Sequence, residues 1–209
     1  MSCQVLNEHP LIAHHLTNLR DERTSSSEFR RLIHRLATLL AYEATKSLQL
    51  DRVTIHTPVK ETQGCQCRER IGLVPILRAG LGMVNPVLDL IPDAEVWHLG
   101  MYRDEATATP VEYYSKFPSD QPVDVGFVLD PMLATGGSAI MAVDTLQRWG
   151  VKSIKMLSII ASQDGVDTLQ TEKPDVEIFV CAVDAELNAV KFIVPGLGDA
   201  GDRTFNTMG

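Results

Sequence analysis

Apolar runs of strand length recur along this chain, and most lead through a turn into an amphipathic stretch of helical length. "RIGLVPIL" (70–77) passes through "RAG" into "LGMVNPVLDLIP". "DVGFVLD" (124–130) passes through a glycine loop into "SAIMAVDTLQRWG", where Gly150 is suited to end the helix. "AEVWHLGMYR" supplies another strand, and "SIKMLSIIAS" and "EIFVCAVD" flank the helical "DGVDTLQTEK". Alternation of this kind predicts an α/β fold with a mainly parallel sheet flanked by helices.

The N-terminal third reads differently. "HPLIAHHLTNLRD" sets Leu11, His15, Leu16 and Leu19 on one helical face, with Pro10 in the first turn. "SSSE" offers a capping box from Ser25 to Glu28, and Phe29, Leu32, Ile33, Leu36, Leu39 and Leu40 then repeat at helical spacing. Val53, Ile55, Thr57 and Val59 alternate as in a half-exposed strand, and a glycine-containing turn is expected after them. No repeat, low-complexity tract or linker divides the 209 residues, which are 44% hydrophobic and able to bury a core. One domain over 1–209 is expected, with N-terminal helices at 9–48, a core at about 53–185 and a C-terminal segment at about 190–209.

Charge and cysteines narrow the class. A formal net charge of −8 argues against a nucleic-acid partner, which needs a clustered positive footprint, but leaves room for a small anion held by local arginines. No apolar segment reaches membrane-spanning length, so no membrane partner is expected. Cys65 and Cys67 lie in "ETQGCQCRER" without a second cysteine or histidine pair, so they read as free thiols of a cytoplasmic protein rather than metal ligands.

The stretch "VGFVLDPMLATGGSAIMAV" (125–143) carries the chemistry. In open parallel sheets ligands sit beyond the carboxyl ends of the strands, and Asp130 stands at such an end. After it come two glycines that let backbone N–H groups approach an anion, hydroxyls at Thr135 and Ser138, and a helix start. A plain strand-to-helix turn with Ser138 as N-cap accounts for only part of this. No lysine follows the glycines as a triphosphate loop requires. "GLGDAG" (196–201) has the letters of a dinucleotide motif but no room after it for a βαβ unit. A terminal monophosphate remains, with the upstream carboxylate able to accept hydrogen bonds from sugar hydroxyls.

"DPMLATGGS" resembles the phosphoribosyl-pyrophosphate (PRPP) motif of the type I phosphoribosyltransferases. Pro131, in place of a second acid, resembles the uracil phosphoribosyltransferase branch. "PILRAGLGM", "GMYRDE" with "PVEYY" after it, and "PGLGDAGDR" agree in order, from about Leu73 to the C-terminus. The resemblance implies a type I phosphoribosyltransferase-like sheet with a protruding β-arm and a small base-binding hood. It also implies that uracil and PRPP give UMP and pyrophosphate. PRPP would meet Arg78, Arg103, Asp130, Pro131, Met132, Leu133, Ala134, Thr135, Gly136, Gly137, Ser138 and Asp199, and uracil would meet Ile193, Gly198, Asp199 and Ala200. Arg78, Arg103 and Asp130 would stabilise charge, and Mg²⁺ would be held mainly through PRPP, with no protein ligand identified. Family members are commonly homodimers or larger assemblies, and some respond to GTP, which makes GTP a candidate effector. Transfer to another nucleobase and a PRPP-sensing regulator are the alternative readings.

One long polar segment, Arg103–Pro122, interrupts the alternation. Connections of this length inside a compact fold are functional or disordered. An extended hairpin arm over Thr107–Tyr114 is expected, serving as a lid or a dimer contact.

Overall fold

The computed structural model describes residues 3–103, 110–115, 117 and 121–207, with backbone only at 101–103, 110–113 and 115. The chain opens on a short strand, β1 (Cys3–Val5), for which the sequence carries no periodic signal. Helix α1 (Pro10–Arg20) has proline in its first turn and His9 Nδ1 accepting from the Leu11 N–H. Helix α2 (Ser26–Ala44) is capped by the Ser25 hydroxyl, which accepts from the Glu28 N–H at 3.3 Å. Only this half of the expected capping box forms, because the Glu28 carboxylate pairs with Arg31 and Arg35. Phe29, Leu32, Ile33, Leu36 and Leu40 make the buried stripe.

Next, β2 (Leu50–His56) and β3 (Glu61–Cys67) form an antiparallel hairpin. The expected strand is thus shifted: the turn lies at Thr57–Lys60, and Gly64 sits inside β3 opposite Val53. The side chain of Ile55 covers the space above that glycine. Cys65 and Cys67 are free and exposed on β3.

The alternating core follows as expected. It comprises β4 (Ile71–Leu77), α3 (Leu81–Leu90), β5 (Glu95–Val96), β6 (Leu99–Arg103), β7 (Pro110–Ser115), β8 (Val125–Leu129), β9 (Met132–Leu133), α4 (Gly137–Trp149), β10 (Ser153–Ser162), α5 (Gln163–Glu172) and β11 (Glu177–Asp184). The single strand expected over 94–103 is two pieces, β5 and β6, both beside β4. The expected arm is an antiparallel β6–β7 pair, and 104–109 between them lie outside the described residues. Gly150 ends α4 in the left-handed conformation at φ 104°.

The main sheet runs β1-β11-β10-β8-β4-β6-β7, parallel except at β6–β7. One face is covered by α1, α2 and α3, whose Leu16, Phe29, Leu36 and Met83 share a core with Leu73, Phe127 and Leu157 of the sheet. The other is covered by α4 and α5, whose Val143, Leu146 and Leu169 pack with Val74, Val128 and Met156. After β4 the chain adds strands on one side, and after β8 it adds them on the other. The paired strands β4 and β8 therefore flank the topological switch point, where open α/β sheets leave a crevice beyond their carboxyl ends. Arg78 and Asp130 immediately follow these two strands.

The chain closes with a small antiparallel pair, β12 (Glu186–Leu187) and β13 (Ile193–Val194), and a short helix, α6 (Ala200–Phe205). The glycine-rich turn expected there ends sooner than the sequence reading has it: Ala200 and Gly201 are buried in the first turn of α6.

Candidate active site

Residues 130–138 leave β8 and are pinned before they open. The Asp130 N–H donates to the Leu157 carbonyl at 3.3 Å, and the Ser158 hydroxyl donates to the Asp130 carbonyl at 2.7 Å. The Pro131 carbonyl accepts from the N–H groups of Ile159 and Ile160. Met132 and Leu133 pair with Ile160 and Ala161 of β10. The Ser162 hydroxyl then holds the Ala134 carbonyl while accepting from the Gly165 N–H. The backbone is fixed up to Ala134 by a neighbouring strand.

Gly136 is the N-cap of α4 at φ 83°, a conformation that L side chains rarely adopt. The helix thus begins at Gly137, and Ser138 lies inside its first turn instead of capping it. The first N–H groups of a helix have no partner within it and bear partial positive charge, so residues 137–139 present an anion-binding end.

Asp130 is half-buried, and its Oδ1 accepts from the Met132 N–H at 3.2 Å. Burial pushes its carboxyl up to about 7; the Met132 N–H opposes the rise, and the nearby Asp199 carboxylate adds to it. Two carboxylates far apart in sequence therefore share this corner. Asp199 also caps α6, its Oδ1 accepting from the Asp202 N–H at 2.8 Å.

Arg78 follows β4 through a cis Leu77–Arg78 peptide. The Gly80 turn beneath it is tight: a Cβ on Gly80 would collide with the carbonyl oxygens of Leu129 and Ile76, so only glycine lets this loop lie against the end of β8. The Arg78 side chain is 58% exposed, and its Nη2 lies 3.2 Å from Asp202 Oδ1. Arg103 ends β6, which is parallel to β4 on the side away from β8, so its backbone stands at the same edge of the sheet. The Arg103 side chain lies outside the described residues.

Of the residues expected to meet a base, Ile193 is buried in β13, Gly198 has φ 79°, and Ala200 is buried. Sequence reasoning missed the groups that hold this segment. Asp184, at the end of β11, accepts from both terminal nitrogens of Arg20 at 2.8 Å and from the Gly196 N–H at 3.1 Å. Arg203 is buried against the Phe29 ring and donates to the carbonyls of Leu19, Asp21 and Leu197. One available signal was that Asp184 ends a strand as Asp130 does. Arg203 stands in a quoted motif without an assigned role.

Comparison with known proteins agrees over nearly the whole chain. A family model described as uracil phosphoribosyltransferase matches residues 5–207. A uracil phosphoribosyltransferase of Roseiflexus sp. (strain RS-1) is 54% identical, covering 99% of this chain and 100% of that protein. One from Geobacillus kaustophilus is 51% identical over 96% of each. Among solved structures, the AQ2163 protein from Aquifex aeolicus superposes with a TM-score of 0.92 at 36% identity, covering 98% of both chains. A hypoxanthine phosphoribosyltransferase from Staphylococcus aureus shares the fold at a TM-score of 0.51 and 14% identity, over 74% of each chain. With the sheet, the switch-point loop and the C-terminal segment all falling inside these matches, this chain belongs to the uracil phosphoribosyltransferase family.

Proposed function

We infer that the protein transfers the 5-phosphoribosyl group of PRPP to N1 of uracil, giving UMP and pyrophosphate. The observation that carries this reading is that Arg78 and Asp130 follow the paired strands β4 and β8 at the switch point, with the loop from Asp130 leading into the α4 N-terminus, in a chain of this family.

The residue roles follow from chemistry. The N–H groups and hydroxyls of Thr135–Ser138 receive the 5′-phosphate, a dianion suited to a helix start. The Asp130 carboxylate accepts from the ribose hydroxyls and fixes the ring. Bond breaking at C1 develops oxocarbenium character while pyrophosphate leaves, so charge stabilisation and alignment dominate the catalysis. Arg78 and Arg103 meet the departing charge with planar forks that match paired phosphate oxygens. Backbone groups of Ile193 and Gly198–Ala200 read the uracil edge, with Asp199 turned toward PRPP.

A divalent cation fits this corner. The carboxylates of Asp130 and Asp199 act on each other electrostatically, and oxygen donors of this kind suit Mg²⁺. Among the described residues no cluster of three or more acidic, histidine or cysteine side chains could hold a metal ion. Bound there, Mg²⁺ would neutralise pyrophosphate oxygens.

Homodimers or larger assemblies belong to the same reading, supported by the exposed Leu50, Ile55 and Val59 of the β2–β3 hairpin. A cytoplasmic site of action is supported by four cysteines that are all free. GTP as an effector rests on the resemblance alone. Among the described residues no helix is long and apolar enough to cross a membrane.

The test is pyrophosphate release from PRPP across a panel of bases. Release with uracil, and not with adenine, guanine, hypoxanthine or orotate, is expected. Turnover of another base without uracil would overturn the base assignment. PRPP binding with no turnover of any base would favour a regulator.

A further inference from the structure

The Arg78 guanidinium has a built partner that the reaction scheme leaves unused. Its Nη2 lies 3.2 Å from Asp202 Oδ1, and its Nη1 lies 3.4 Å from the Thr207 hydroxyl. That hydroxyl donates to the same Asp202 oxygen at 2.7 Å, and the Thr207 N–H donates to the Asp202 carbonyl at 3.2 Å. Three side chains thus close a triangle between the end of β4 and the last turn of the chain. A Cβ on Gly201 would lie 3.1 Å from Asp199 Oδ1 and 3.7 Å from Arg78 Nη2, so the glycine keeps this junction open. The Asp202 carboxyl is held below its usual range, first by the Thr207 hydroxyl and then by Arg78.

We propose that Asp202 is a positioning residue that aims Arg78 at pyrophosphate and ties the clamp to the helix carrying the base-reading segment. The idea rests on Arg78 being a PRPP ligand. A long exposed arginine samples many rotamers, and ordering it at the moment of binding weakens affinity. Asp202 and Thr207 hold it in advance through two of its five N–H groups, leaving the others for phosphate oxygens. Because Asp202 and its neighbour Asp199 are joined through the α6 N-cap, movement of the base segment is also movement of the clamp.

The experiment measures PRPP binding by calorimetry with Mg²⁺ and without base, then steady-state kinetics with uracil. Asp202→Asn keeps the shape and the backbone cap but loses the charge. It is expected to raise the PRPP dissociation constant by roughly five- to tenfold, leaving the uracil KM at saturating PRPP within about twofold. Asp202→Glu should recover part of the loss. In an Arg78→Lys background the same Asp202→Asn change should cost far less, since the partner it orients is gone. Thr207→Val serves as a second variant should Asp202→Asn lower the melting temperature, and a smaller rise of the same kind is expected. Unchanged PRPP affinity, tighter PRPP binding, or additive effects with Arg78→Lys would each overturn the proposal. Failure of the wild-type protein to turn over uracil would instead count against the base assignment, because the calorimetry needs no base.

Discussion

Gly165 lies against the Ala134 carbonyl so closely that no Cβ fits between them, and the same contact extends to the Leu133 carbonyl. The first turn of α5 is thereby seated on the backbone of the loop that follows β9, with the Ser162 hydroxyl bonded to both sides. Gly165→Ala should displace that loop. Overpacking against backbone costs about 1–3 kcal/mol, and the PRPP KM is expected to rise with it. Chemical denaturation and kinetics read both effects; a variant with parental stability and KM would show that the packing has slack.

Asp130 sets function against stability. A carboxyl raised from 3.8 to about 7 binds a proton in the folded state that the unfolded chain has released. Stability therefore falls as pH climbs from about 4 to 7 and is level above that. Asp130→Asn removes this cost, so above pH 7 it should be more stable than the parent by up to about 4 kcal/mol, with the gap closing toward pH 4. Its kcat/KM for PRPP should fall, because charge-assisted bonds to the ribose worth about 1.5–3 kcal/mol are weakened. Melting curves over this pH range and initial rates test both halves. Equal stability at pH 8 would contradict the raised carboxyl.

The arginine clamps are testable by a change that preserves charge. Arg78→Lys and Arg103→Lys lose the bidentate fork. Weaker PRPP binding and slower turnover are expected, with base preference unaltered. A change confined to uracil affinity would remove either residue from the clamp.

Arg203 is expected to support the base segment without touching the base. Arg203→Met keeps much of the packing over Phe29 but leaves the carbonyls of Leu19, Asp21 and Leu197 without their shared donor. Each buried group left unpaired costs about 1–3 kcal/mol, so a marked drop in melting temperature should accompany a raised uracil KM. PRPP affinity measured without base should change less. The reverse pattern would relocate the role of Arg203 to the phosphate side.

Base choice follows from hydrogen-bond pattern. Uracil offers N3–H between two oxygen acceptors, and cytosine reverses the pattern at positions 3 and 4. Backbone groups near Gly198–Ala200 that fit one would oppose the other, and sites of this kind discriminate by roughly 10⁴ or more. Strong preference for uracil over cytosine, acceptance of 5-fluorouracil and no turnover of purines are expected from kcat/KM ratios at saturating PRPP and Mg²⁺. A uracil-to-cytosine ratio near one would sink the backbone readout.

The sequence by itself determined the alternating core, the glycine stop of α4 and the anion-ready stretch after Asp130. Each is written in neighbouring residues: a run of apolar side chains, a turn that needs glycine, hydroxyls beside a helix start. Tertiary structure decided what depends on distant partners. Three-residue β1 exists because β11 offers it an edge, and the six residues of α6 are held by the Asp199 cap and by Arg203 reaching the carbonyls of α1 and its C-cap. No local window contains those contacts. The raised carboxyl of Asp130 and the anchoring of Arg78 are of the same kind, since burial and a charge brought from the far end of the chain act through space and not along the sequence.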